Sequence, residues 1–138
     1  MKPQQANTAY CKKHAGFVNG LREKRGWQEG DWCDRRLGGL PSLVVELEDG
    51  VPHLVETAGR GRGTFFPMGN WDIIWIPTSD DVLGMLDERN TMPALESNVQ
   101  KDERDLFWIA RAGRSKSGWQ KTPLIALLEL LRAVEGKG

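Results

Sequence analysis

The sequence predicts an α+β fold, an antiparallel sheet of about four or five strands with three helices packed on it. Three observations carry that expectation. Amphipathic segments with start and stop signals lie near the beginning, middle and end of the chain. Asp49-Gly50 separates two runs rich in apolar residues, the pattern of a β-hairpin. Trp71–Ile76 and Leu106–Arg111 are dense in β-branched and aromatic residues. At 138 residues the chain is long enough to bury roughly two thirds of its unfolded surface in one core, so a single α+β domain spanning 1–138 is expected.

The first helix is expected over Ala9–Arg25, where Tyr10, His14, Phe17, Val18 and Leu21 recur at spacings of three and four. Gly16 and Gly20 weaken it, and Gly26 is its stop. Trp27 to Trp32 then reads as a turn that carries two indoles into an extended segment, both packed against that helix. In the hairpin Leu43–Thr57 a type I′ turn at Asp49-Gly50 sets Glu48 opposite Val51, Glu46 opposite His53 and Val44 opposite Val55. Leu43, Val45, Leu47 and Leu54 form the other face, expected to be the core. Pro52 has no N–H to offer, so at least the start of the second strand should sit at a sheet edge.

Gly59-Arg60-Gly61-Arg62-Gly63 follows as a basic loop, then Phe65, Phe66 and a turn over 67–70. Trp71–Ile76 is continuous enough in apolar character for a central strand, ended by Pro77. Thr78 or Ser79 caps the middle helix, Asp80 and Asp81 complement its positive end, and Val82, Leu83, Met85 and Leu86 form its inner stripe down to about Asn90. Thr91–Arg104 is polar and interrupted by Pro93, which reads as a mobile connection. After the strand Leu106–Arg111, Gly113–Gly118 reads as a second basic loop. Thr122 caps the last helix with Pro123 at its first position, and Leu124, Ile125, Leu127, Leu128, Leu131 and Val134 repeat on its buried face.

Composition narrows the function classes. No apolar run is long enough to cross a bilayer, and the polar start leads into no secretory core, so a cytoplasmic protein without membrane contact is expected. Nineteen basic and nineteen acidic residues cancel, leaving no global field for nucleic acid or an anionic surface. Two cysteines are too few for a disulfide framework and fit a reducing compartment.

Four patterns in the sequence bear on chemistry. Cys11 and His14 have the spacing of half a zinc clip, but Cys33 and His53, the only residues to complete it, lie on different elements, so no metal or other cofactor is expected. No nucleophile, base and orienting group share a spacing that would assemble them, and Asp80, Asp81, Asp87 and Glu88 are explained by the helix dipole and solvent, so no catalytic residue is assigned. The Gly59–Gly63 loop lacks the lysine and hydroxyl of a nucleotide P-loop. The best local pattern is basic: Arg60, Arg62, Arg111, Arg114, Lys116 and Lys121 sit on or beside the glycine-rich loops 59–63 and 111–121, with Trp119 among them as a stacking platform for nucleic acid.

Three stretches carry a resemblance: Leu21 to Trp32, Trp75 to Leu86, and Thr122 to Leu128. Together they resemble small uncharacterised proteins of phages and other bacterial mobile elements, in which a W-x-P-T-x-D strand-to-helix turn is followed by one strand and a T-P-x-x-A-L helix. The arrangement is similar to the phage ABA-sandwich type of small α+β domain. What the resemblance implies is an accessory protein of a phage, prophage or mobile gene cassette, with no catalytic residue. The expected role is non-catalytic binding of a protein partner of unknown identity, with a homodimer among the arrangements. Nucleic-acid contact through the two basic loops is the second expectation, and a small enzyme the third.

Overall fold

The computed structural model describes residues 4–35, 42–56, 64–65, 73–99 and 106–136. It is α+β, with four helices and two antiparallel sheets among the described residues. The chain divides into two compact units, Met1–Pro77 and Thr78–Gly138.

The N-terminal unit holds α1 (Gln5–Lys13), α2 (Ala15–Arg25), β1 (Trp32–Arg35), β2 (Ser42–Glu48), β3 (Val51–Glu56), β4 (Thr64–Phe65) and β5 (Ile73–Ile76). Its five strands run in the order β4-β3-β2-β1-β5. The helix expected over 9–25 begins earlier and breaks at His14, which leaves helical geometry at φ −114° and ψ 39°. The buried face keeps helical spacing across His14 but lies one position on from much of the expected stripe: Cys11, Ala15, Val18, Leu21 and Arg22 are buried, while Tyr10, His14 and Phe17 are only half-buried. Gly26, at φ 86°, ends α2, as only glycine adopts that region without strain.

β5 was expected to be central and is an edge strand, yet all four of its residues are buried. Both helices pack on it. The Asn19 amide also takes the place of a neighbouring strand: its Nδ2 donates to the Ile73 carbonyl at 3.2 Å, and its Oδ1 accepts from the Trp75 N–H at 3.0 Å. A side chain on α2 thus satisfies backbone groups that a continuous apolar run would otherwise offer to another strand.

Asp49 and Gly50, with φ of 51° and 79°, form the expected turn. Next to it the register is the expected one: Glu48 faces Val51, Leu47 faces Pro52 and Glu46 faces His53. A bulge then intervenes between Val44 and Glu46, so that Val44 faces Leu54 and Leu43 faces Val55. The extra residue reverses the inward parity of the strand. Val44 and Leu54 are therefore fully buried, whereas Val45, expected in the core, is 40% exposed. β4 pairs only with Leu54 and Val55, so the Pro52 half of β3 has no neighbour on that side among the described residues.

The C-terminal unit holds α3 (Ser79–Glu88), β6 (Ala94–Val99), β7 (Leu106–Ala112), β8 (Ser115–Lys116) and α4 (Pro123–Gly136), with strand order β6-β7-β8. Thr78 and Asp81 close a reciprocal capping box at the start of α3. At its end Asn90 takes a left-handed φ of 54°, and the Thr91 and Asn90 amides donate to the Leu86 and Asp87 carbonyls, a Schellman cap. Val82, Met85 and Leu86 face inward as expected, but Leu83 falls off that stripe and is 36% exposed.

The polar stretch expected as a mobile connection contains β6, paired residue for residue with β7. Likewise 113–118 is not a simple loop: Gly113, at φ 58°, turns β7 into β8. Arg111 is followed on β7 by three steps back to Trp108, whereas Lys116 and Gln120 are four apart, so the third strand carries one extra residue around Gly118. Thr122 Oγ1 accepts from the Ile125 N–H at 3.1 Å and caps α4. That helix packs on α3, β7 and β8 and is buried almost all round from Leu124 to Leu131, including Leu130, which a one-sided stripe leaves out.

Candidate functional site

Four basic residues of the C-terminal unit lie on or beside the β7–β8 hairpin. Arg111 and Lys116 are direct cross-strand partners, Arg114 occupies the turn between them, and Lys121 follows the extra residue of the third strand. All four are exposed, and none forms an ion pair or hydrogen bond through its side chain among the described residues. Like charges placed directly opposite each other destabilise a strand pair, so the hairpin holds positive charge that nothing in the described protein neutralises. Trp119 is 38% exposed. Its position is held from both sides: Trp108 and Gln120 exchange backbone hydrogen bonds of 2.7 and 2.6 Å, and Ser117 Oγ accepts from the Ala110 N–H at 2.9 Å.

Beside this hairpin lies an open cleft of about 340 Å³ lined by Asn90, Thr91, Met92, Ala112, Gly113, Ser115 and Val134. Met92 is 85% exposed. Val134, expected on the buried face of α4, is half-buried and forms one wall. Arg89 anchors the opposite wall: it donates to the Met85 carbonyl at 2.7 Å and pairs with Glu135 of α4. Sequence reasoning missed Asn90, Thr91 and Met92 because they belong to a helix cap and its exit, and nothing in their spacing marks the strand pair beside which they come to lie.

Arg60 and Arg62, the other half of the expected basic surface, lie outside the described residues, as does the turn expected at 67–70. The residues weighed as metal ligands do not assemble: no group of three or more His, Cys, Asp or Glu could hold an ion among the described residues. Cys11 is buried in α1, and Cys33 on β1 places its Sγ 3.6 Å from the Ser42 carbonyl. Burial pushes the Cys11 thiol pKa up to about 12. His53 keeps its register opposite Glu46, but the carboxylate its Nε2 meets, at 3.3 Å, is that of Glu48.

Two arginines of the N-terminal unit are held against its own side chains. Arg25 grips Asp31 through two bonds of 2.9 and 2.8 Å, donates to Gln28 Oε1, and stacks over the Trp75 ring at 4.9 Å. Arg22 lies 4.8 Å over Trp27, and its burial lowers its pKa. Both indoles at that corner are thus covered by guanidinium planes. The structure is that of an α+β protein whose β7–β8 hairpin and its exit carry four exposed basic side chains. No family model matches the chain, and no significant match appears among curated proteins or solved structures. No described helix is long and apolar enough to cross a membrane.

Proposed function

We propose that this chain is a non-catalytic binding protein that engages an acidic segment of a protein partner through the β7–β8 hairpin and its cleft. The observation that carries this reading is the unneutralised cross-strand pair Arg111–Lys116 with Arg114 in the turn. A carboxylate-bearing segment would relieve the repulsion. The adjoining Met92 and Val134 offer apolar contact, and methionine adapts to varied partners. A protein fits better than a polyanion because the chain is neutral as a whole and would set its other carboxylates against a phosphate backbone. The resemblance in sequence supports an origin in a phage, prophage or mobile gene cassette.

Nucleic-acid contact is the second reading, favoured by the exposed Trp119 beside four free cations. One experiment separates the two. The native chain and a variant with Arg111, Arg114, Lys116 and Lys121 all changed to alanine are tested at low salt against single- and double-stranded DNA and RNA, and as baits in a bacterial lysate. Capture of an acidic protein by the native chain alone, with no retention of nucleic acid, is the expected result. Retention of nucleic acid with a steep salt slope, lost in the variant, would replace the first reading by the second.

A further inference from the structure

We infer that β6 is a self-association edge, at which a second copy of the chain adds its own β6 antiparallel with the two Ser97 residues opposite each other. The inference does not rest on the binding role proposed above, in which Arg111, Arg114 and Lys116 act from other strands.

The sheet edges are not equally protected. The outer side of β5 is bonded by Asn19. β4 and β8 are two residues long, and the strand that continues β8 is bulged. Among the described residues β6 has none of these devices. It runs six residues in unbroken register with β7, contains neither proline nor lysine, and is exposed on both faces from Ala94 to Asn98. Natural proteins rarely leave such an edge open.

What identifies the occupant as another β6 is the complementarity of the strand with itself. A two-fold axis that pairs a strand with its own copy stands perpendicular to the sheet, leaves each face on its own side and passes through one residue. Centred on Glu96, it sets two carboxylates opposite each other, which is repulsive. Centred on Leu95 it pairs only three residues, and centred on Asn98 it sets Ser97 against Val99. Centred on Ser97 it uses the strand from Leu95 to Val99: Leu95 meets Val99 of the second copy, Glu96 meets Asn98, whose amide donates to the carboxylate, and Ser97 meets Ser97.

That register also accounts for two exposed leucines. Leu95 is 39% and Leu106 45% exposed. Within one chain Leu95 faces Ala110, and Val99 faces Leu106. Across the axis the register continues from Ala110 and Leu95 to positions 99 and 106 of the second copy, which brings the exposed Leu95 and Leu106 onto one face, and the two-fold repeats the row. Between the two rows lies Trp108, Ser97 and their symmetry mates.

Sedimentation of the full chain across a micromolar concentration series tests the edge and its register together. The native chain should form a dimer. Asn98→Glu sets a second carboxylate against Glu96 at both symmetric positions and should weaken the dimer about tenfold. Adding Glu96→Lys should restore it, and Asn98→Lys alone should tighten it. Circular dichroism checks that each variant is folded. A native chain that stays monomeric to high micromolar concentration overturns the inference, and so does a dimer that Asn98→Glu leaves unchanged. If Asn98→Glu does not fold, the lysine variant decides: a failure to tighten the dimer overturns the register.

Discussion

Replacing Asn19 with alanine removes two hydrogen bonds at once and leaves their backbone partners on β5 without that side chain to bond. The Trp75 amide and the Ile73 carbonyl belong to residues that are 0% and 1% exposed, and the amide of Asn19 reaches them at 3.0 and 3.2 Å. Leaving one buried polar group unsatisfied costs about 1–3 kcal/mol. The site is only partly buried at Asn19 itself, so water can relieve some of the loss, and the pair together is expected to cost about 2–4 kcal/mol. For a chain of this size that lowers Tm by about 10 °C. Scanning calorimetry with urea unfolding followed by circular dichroism would measure it, with the exposed Glu23→Ala on the same helix as reference. Asn19→Asp sharpens the argument. At neutral pH its carboxylate still accepts from Trp75 but opposes the Ile73 carbonyl, so it should be no better than alanine; protonation below about pH 4 makes it a donor again and should narrow the gap to the native chain. If Asn19→Ala unfolds no earlier than Glu23→Ala, the amide does not seal β5 and the account of that edge is wrong.

Two further outcomes follow from burial. Leu128, fully buried on α4, should cost about 2–5 kcal/mol when cut to alanine, and a loss below 1 kcal/mol in urea unfolding would show that the helix face is misassigned. Cys11 should make stability fall in alkali. Its thiol is held neutral in the fold up to about 12, against 9.0 when free, so the unfolded chain loses its proton first and stability present below pH 9 is lost as pH rises toward 12. Cys11→Ala should flatten that slope, and an unchanged slope in melts between pH 8 and pH 11 would refute it.

What could be read from the sequence was mostly local. Thr78 with Asp81, Thr122 with Pro123, Asp49-Gly50 and Gly26 announce caps and turns because each satisfies or bends backbone within a few residues of itself. β6 was not legible because Ala94, Glu96, Ser97 and Asn98 are poor strand formers, and their strand exists by pairing with β7. β5 read as central since its apolar run records burial, and on its outer side helices and one amide stand in for a second flanking strand. Of the candidate site, the cations Arg111, Arg114, Lys116 and Lys121 were visible by type. Their convergence was not, for cross-strand pairing at Gly113 is a property of three dimensions, and Met92 and Val134 joined the cleft through a helix cap and a helix end that spacing treats as unrelated.

The bulge at Val45 divides β2 into two stretches written in opposite parity. Ser42 and Val44 turn inward on one side of it, while Glu46 and Glu48 point outward on the other. A regular ladder without that one residue would keep the same partners, Glu46 with His53 and then Val44 with Leu54, so the turn and the core agree with it or without it. Since Val45 itself looks outward, many side chains would serve there. Substitution and deletion are both tolerable at that position, because Val45 is the residue the ladder passes over, and what it contributes is the local bend and twist of a bulge.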